Sequence, residues 1–160
     1  MGQVKVFEEA ARAAVQADVP RLVRALDAGA DPNGLDSEGR TLLACAIDGN
    51  SFEAVKLVID RGADVNGTSP MLGPALHYAI DMAVQAAIHA EEMACRPVSP
   101  RVDIVRYLIE HGARIDSLDP EGRTPLDVAY DRGSDESTAY NPTAVRLLES
   151  LGASRNRRRR

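Results

Sequence analysis

The sequence predicts an all-α solenoid of four stacked helix-turn-helix units, and three observations carry that prediction. Four segments copy one another: LVRALDAGADPN (22–33), VKLVIDRGADVN (55–66), VRYLIEHGARID (105–116) and VRLLESLGAS (145–154). Their glycines, Gly29, Gly62, Gly112 and Gly152, stand 33, 50 and 40 residues apart, which is one 33-residue unit carrying insertions of 17 and seven. A second motif keeps the same register. GRTLLACA (39–46) matches GRTPLDVA (122–129), with GPALHYA (73–79) a weaker copy, and Ala46, Ala79 and Ala129 are again 33 and 50 apart. Finally, Val55, Val58 and Ile59 fall three and four apart, the spacing of one buried helical face.

The elements follow in order. Counting 33 back from Ala46 lands on Ala13, so the first unit opens near the N-terminus and covers about 1–33. The second covers 34–66, the third 67–116 with the 17-residue insertion, and the fourth 117–153 with the seven-residue insertion. Residues 154–160 form a basic tail, expected to be solvated and disordered. Thr124 is a good N-cap, Pro125 suits the first turn, and Asp127 three residues on completes a capping box. Ser99-Pro100 and Asn141-Pro142 open later helices in the same way. Gly29, Gly62 and Gly112 sit just past helices, where a left-handed residue ends the last turn at little cost. No single helix pair can bury its own face, and stacking the units makes one continuous core.

These residues resemble the ankyrin-repeat family. The pattern G-x-T-P-L-x-x-A followed by L-L-x-x-G-A-D-x-N at a period of 33 covers roughly residues 4 to 153. Leu42 replaces the motif's proline, Pro74-Ala75 replace Thr-Pro, and the first and last units are degenerate, as capping units are. The resemblance implies finger-like β-turns at the ADPNGLDSEG segments and a non-catalytic protein-binding surface on the finger tips and first helices. It also implies that His77, in the T-P-L-H position, ties neighbouring turns by hydrogen bonds. Carried over position by position, the contact residues are Leu35, Ser37, Glu38, Arg40 and Asp48 in the second unit. In the third they are Thr68, Pro70, Met71, Gly73, Asp81 and Met82, and in the fourth Leu118, Pro120, Glu121, Arg123, Asp131 and Arg132.

Composition narrows the function. The formal net charge is −5, and residues 154–160 hold five arginines and no acid, so residues 1–153 carry −10. An acidic body favours a basic partner. Asp48, Asp81 and Asp131 share one register and are expected to line up as an acidic stripe, although charge is also ordinary at exposed helix ends. Cys45 and Cys95 lack CxxC spacing and suit a reducing, cytoplasmic setting. Cys45 faces the packed helix layer and reads as a small hydrophobe, not a nucleophile. No stretch has the length of a membrane span, and neither a signal peptide nor a phosphate-binding glycine loop is present. No catalytic constellation and no cofactor site emerge. His111 sits at a helix end, where positive charge is favourable. The arginine tail offers nonspecific contact to nucleic acid, without aromatic interleaving.

The larger insertion spans MAVQAAIHAEEMACRPVSP (82–100). Val105 follows Ala79 by 26 positions, whereas Val55 follows Ala46 by nine. Leu76, Ile80, Ala83, Ala87, Ala90 and Ala94 continue at helical spacing up to Arg96-Pro97, so the first helix of this unit should run from about Pro74 to about Ala94. It overhangs the usual end near Met82 by about 12 residues, or about 18 Å. An extended return through the prolines closes that gap. The overhang is expected to show Val84, Ile88 and Met93, covered either by a partner or by the smaller insertion next to it.

Three readings remain open. The first is an inhibitor or immunity-type module that binds a basic protein through an acidic concave face, the inserted helix, or both, as a monomer or weak homodimer. The second is a scaffold or dimerisation module using the projecting helix. The third, a metal-binding protein or enzyme at His89 and Glu92, rests on that single i,i+3 pair.

Overall fold

The computed structural model describes residues 2–92, 100–130 and 142–156. Eight helices occur among them: α1 (Gly2–Val15), α2 (Val19–Asp27), α3 (Leu42–Asp48), α4 (Phe52–Asp60), α5 (Ala75–Glu92), α6 (Pro100–Glu110), α7 (Pro125–Tyr130) and α8 (Pro142–Ser150). One small antiparallel ribbon, β1 (Thr68–Ser69) with β2 (Gly73–Pro74), pairs Thr68 with Pro74 and Ser69 with Gly73. The chain divides into two compact units, Met1–Ala75 and Leu76–Arg160, and the division falls inside the third repeat.

Local chemistry explains the helix ends. Asp18, Thr41 and Ser51 each accept the backbone N–H three residues on, at 3.0, 3.1 and 3.1 Å. These side chains satisfy donors that the first turn leaves open. At α7 the expected capping box forms in full. Asp127 N donates to Thr124 Oγ1 at 3.2 Å, and Thr124 N donates back to Asp127 Oδ2 at 3.0 Å. The α6 and α8 helices begin at Pro100 and Pro142, whose missing N–H costs nothing there. At the other ends Gly29, Gly62 and Gly112 take φ of 94°, 93° and 93°, the left-handed geometry that closes a helix.

In the first unit α1 packs against α2 and α3, and α4 against α2 and α3. Ala10, Ala13 and Ala14 of α1 are buried with Leu22, Leu43, Ile47, Val55 and Val58. Small residues let the backbones come close. A Cβ on Gly49, at the end of α3, would lie 2.2 Å from the Ala14 carbonyl oxygen. In the second unit α8 packs against α6 and α7. Ile80, Val84, Ile104, Leu108, Ala129 and Leu148 form its buried core.

Two expectations about the insertion and the tail need correction. The long helix forms, and α5 continues ten residues past Met82. Val84, however, is 0% exposed and belongs to the core, not to an exposed strip. The buried face of α5 carries Leu76, Ile80 and Ala83 as well, so the core stripe runs one turn further than an inner helix of normal length would need. The side chains of Ile88, His89 and Glu92, and all of Met93, Asp131 and Arg132, lie outside the described residues. The seven-residue insertion lies outside them too. The tail is docked at its start. Ser154 N donates to Asp116 at 3.2 Å, Arg155 Nε and Asn156 N bond Asp127, and Asn156 Nδ2 donates to the Gly122 carbonyl at 2.8 Å. The Arg155 guanidinium also lies over the Tyr130 ring, 4.8 Å from its centre.

Candidate interaction surface

The turns that precede α3 and α7 share one construction. In the sequence LDSEGRT (35–41), Asp36 is buried beneath the turn. Its Oδ1 accepts the N–H groups of Glu38 and Arg40 at 3.0 and 2.8 Å, and its Oδ2 accepts Arg40 Nε at 2.8 Å. In LDPEGRT (118–124), Asp119 takes the same three bonds from Glu121 and Arg123, at 3.0, 2.8 and 2.8 Å. Burial pushes both carboxyls up. The backbone and guanidinium hydrogen bonds from Arg40 and from Arg123 push them down further, so each ends below the ordinary aspartate range. Both carboxylates stay charged, and each locks its turn.

The turn between them is built differently. By register Ser69 stands where Asp36 and Asp119 stand, and Gly73 where the arginines stand. Ser69 Oγ accepts Met71 N and Leu72 N at 3.3 and 3.2 Å and donates to the Gly39 carbonyl at 2.7 Å. Within the first unit this ties one finger to the next. A second tie joins Asn33, whose Nδ2 donates to the Gly62 carbonyl at 3.0 Å and whose Oδ1 accepts Asp64 N at 2.7 Å.

Locking the turns from below leaves their tips in solvent. Leu35 is 48% exposed and Met71 67%, with Ser37, Glu38, Thr68 and Pro70 also exposed in the first unit. In the second unit Leu118 is 55% exposed, beside exposed Pro120 and Glu121. Arg40 and Arg123 are half-buried. Arg40 also reaches Glu38 and Asp48, each at 3.4 Å, so the charge of Asp48 is met locally. Asp81, half-buried like Met82, accepts Gln85 Nε2 at 2.8 Å.

His77 and Cys45 are also buried near the fingers. His77 Nε2 lies 3.0 Å from the Arg123 carbonyl oxygen, so that nitrogen carries the proton and donates. This is the tie between turns that the resemblance implied. The Ser117 backbone approaches the ring, but Nδ1 has no partner of good hydrogen-bond geometry among the described residues. Burial lowers the imidazole pKa and keeps the ring neutral. Burial likewise pushes the Cys45 thiol up to about 12, with Sγ 3.7 Å from Asp36 Oδ2. A thiol held so far from its thiolate is no nucleophile. Among the described residues no three His, Cys, Asp or Glu side chains converge in the manner of a metal site. Nor is any helix there long and apolar enough to cross a membrane.

The profile of the family described as "Ankyrin repeats (3 copies)" matches residues 11–94. The chain belongs to the ankyrin-repeat family. Among relatives, it is 33% identical to the E3 ubiquitin-protein ligase hecd-1 of Caenorhabditis elegans over 95% of its own length, and 35% identical to the ligase Ufd4 of Drosophila melanogaster over 67%. It spans only 5% and 3% of those two proteins. It is 31% identical to the Homo sapiens cyclin-dependent kinase 4 inhibitor B over 86% of this chain and 88% of that protein. Ankyrin repeats are protein–protein interaction modules, and the likeness to the ligases is confined to a small part of each. In this ankyrin chain, sequence reasoning missed the pairing of Arg40 with Asp48 and the docking of residues 154–156. The D-x-E-G-R spacing around Asp36 and Asp119 was visible in the sequence, and it signals the locked turn.

Proposed function

We propose that this ankyrin array is a non-catalytic module that holds a basic partner protein against its finger tips. The exposure of Leu35, Met71 and Leu118 carries the reading, because exposed apolar side chains on rigid turns are ready-made anchors. Two of these three turns pair the apolar tip with an exposed carboxylate, Leu35 with Glu38 and Leu118 with Glu121, which favours a partner surface carrying cations. An inhibitor is the form best supported. The relative that the chain covers over 88% of its length is named as an inhibitor.

Affinity capture from the native source, with mass spectrometry, identifies the partner. Leu35→Lys with Met71→Lys, and separately Leu118→Lys, should then weaken its binding at least tenfold, and association should slow as salt rises. A partner bound equally well by both variants and indifferent to salt overturns the proposal. A second reading, self-association through the end of α5, rests on the ten residues by which that helix outruns Met82. Light scattering across a hundredfold range of concentration tests it, and a constant monomer mass removes it.

A further inference from the structure

The first repeat departs from the others in a way that creates a pocket. By register residue 8 corresponds to the helix caps Thr41 and Thr124, yet α1 begins at Gly2. Helix therefore replaces the finger that precedes α3 and α7, and it brings Val4 and Phe7 alongside the turn at 31–35. Phe7 is buried against Gly34, where a Cβ would lie 2.6 Å from its ring. With no side chain at position 34 the ring packs directly against the turn, and a cavity of about 200 Å³ remains beside it.

The chemistry of this cavity is two-sided. Phe7 and Gly34 form part of its lining with two exposed aliphatic residues, Val4 at 69% and Leu35 at 48%. The remaining lining includes two carboxylates, Glu8 and Asp31. Both are held in place by backbone donors: Glu8 Oε1 accepts Ser37 N and Asp31 Oδ1 accepts Asn33 N, each at 2.9 Å. The second oxygen of each takes no hydrogen bond among the described residues.

We propose that this pocket receives an aliphatic side chain of the partner followed directly by one or two arginines or lysines. The aliphatic group enters the space between Val4 and Leu35, and the cations meet Glu8 and Asp31. Both halves are needed. An apolar cup alone would accept any greasy residue, and two fixed carboxylates select the flanking charge. The proposal rests on the protein-binding reading above and narrows the partner's sequence.

The test is a heteronuclear NMR titration of the full chain with three peptides: Gly-Gly-Leu-Arg-Arg-Gly-Gly, its Gly-Arg-Arg counterpart lacking the leucine, and its Leu-Glu-Glu counterpart. The first should give saturable shifts at the amides of residues 4, 8 and 31–35. The other two should bind at least tenfold more weakly. Glu8→Gln with Asp31→Asn keeps the oxygens that accept the backbone bonds and removes only charge, so it should weaken the first peptide at least threefold without unfolding the chain. Equal binding of all three peptides, shifts elsewhere, or no saturation overturns the pocket. The two proposals fail separately. A captured partner that depends on Met71 or Leu118 but not on Val4→Glu removes the pocket alone, and one indifferent to all three positions removes the finger-face reading.

Discussion

The locked turn of the second repeat gives the sharpest prediction, since the chain itself supplies the control. Wherever the period places aspartate, the residue four on is arginine, as in Asp36–Arg40 and Asp119–Arg123. Where it places Ser69, that residue is Gly73. Replacing Asp36 with serine alone should therefore be costly. The Asp36 side chain is 2% exposed and that of Arg40 21%, so their bond is little screened. Losing one charge-assisted bond costs about 1.5–3 kcal/mol. Serine also replaces the backbone bonds poorly: Ser69 Oγ takes the N–H groups two and three residues on at 3.3 and 3.2 Å, whereas Asp36 takes those two and four residues on at 3.0 and 2.8 Å. Asp36→Ser should then cost about 2–3 kcal/mol, or roughly 4–12 °C in Tm for a chain of this size.

Arg40→Ala should cost a similar amount, because it leaves a buried carboxylate with two backbone donors and the weak Cys45 thiol but no cation. The double variant removes the pair once, so the coupling should be about 2 kcal/mol. Urea unfolding of the four proteins, followed by circular dichroism, measures it. A coupling below about 0.5 kcal/mol refutes the reasoning. Acid adds a second arm. The folded carboxyl of Asp36 lies below its unfolded value of about 3.9, so its contribution is complete above that pH and lost as pH falls through the folded value. Asp36→Ser should show a smaller loss in that window than the wild type.

Three further outcomes are expected. His77 is buried neutral, so below about pH 6.5 the unfolded chain takes up a proton first and stability falls, by at most about 2 kcal/mol down to pH 5. His77→Gln should flatten that slope in unfolding curves across the same range, and an unchanged slope assigns the titration to another group. In a Cys95→Ser background, Cys45 should ignore a thiol reagent at pH 8 until urea unfolds the chain, since its thiol is held near 12. Rapid labelling of the native protein would contradict its burial. Gly49→Ala should cost about 2 kcal/mol by denaturant melt, because the added Cβ meets backbone oxygens of α1 at 2.2 and 2.9 Å, which cannot rotate away. A neutral result would show that α3 has room to shift.

The sequence by itself determined the repeat, its register and its helix ends. Those features are set within a few residues: Thr124 with Asp127, Pro100 and Pro142 at first turns, and Gly29, Gly62 and Gly112 at φ near +93°. It also placed Leu35, Met71 and Leu118 on turns whose tips face solvent. Only the tertiary structure decided which neighbours those residues meet. The 33-residue period says that Asp48 and Asp131 are equivalent, but not that Arg40 reaches across to neutralise Asp48. It continues α5 past Met82, but it does not say that Val84 turns into the core. A basic tail reads as solvated until Asp116, Asp127 and the Gly122 carbonyl are found holding residues 154–156. The Phe7–Gly34 pocket joins residues 27 apart and exists because one helix starts early and one side chain is missing. Helix propensity and capping act over three or four residues, so they are legible in order along the chain. Packing and ion pairing act between surfaces that only the folded chain brings together.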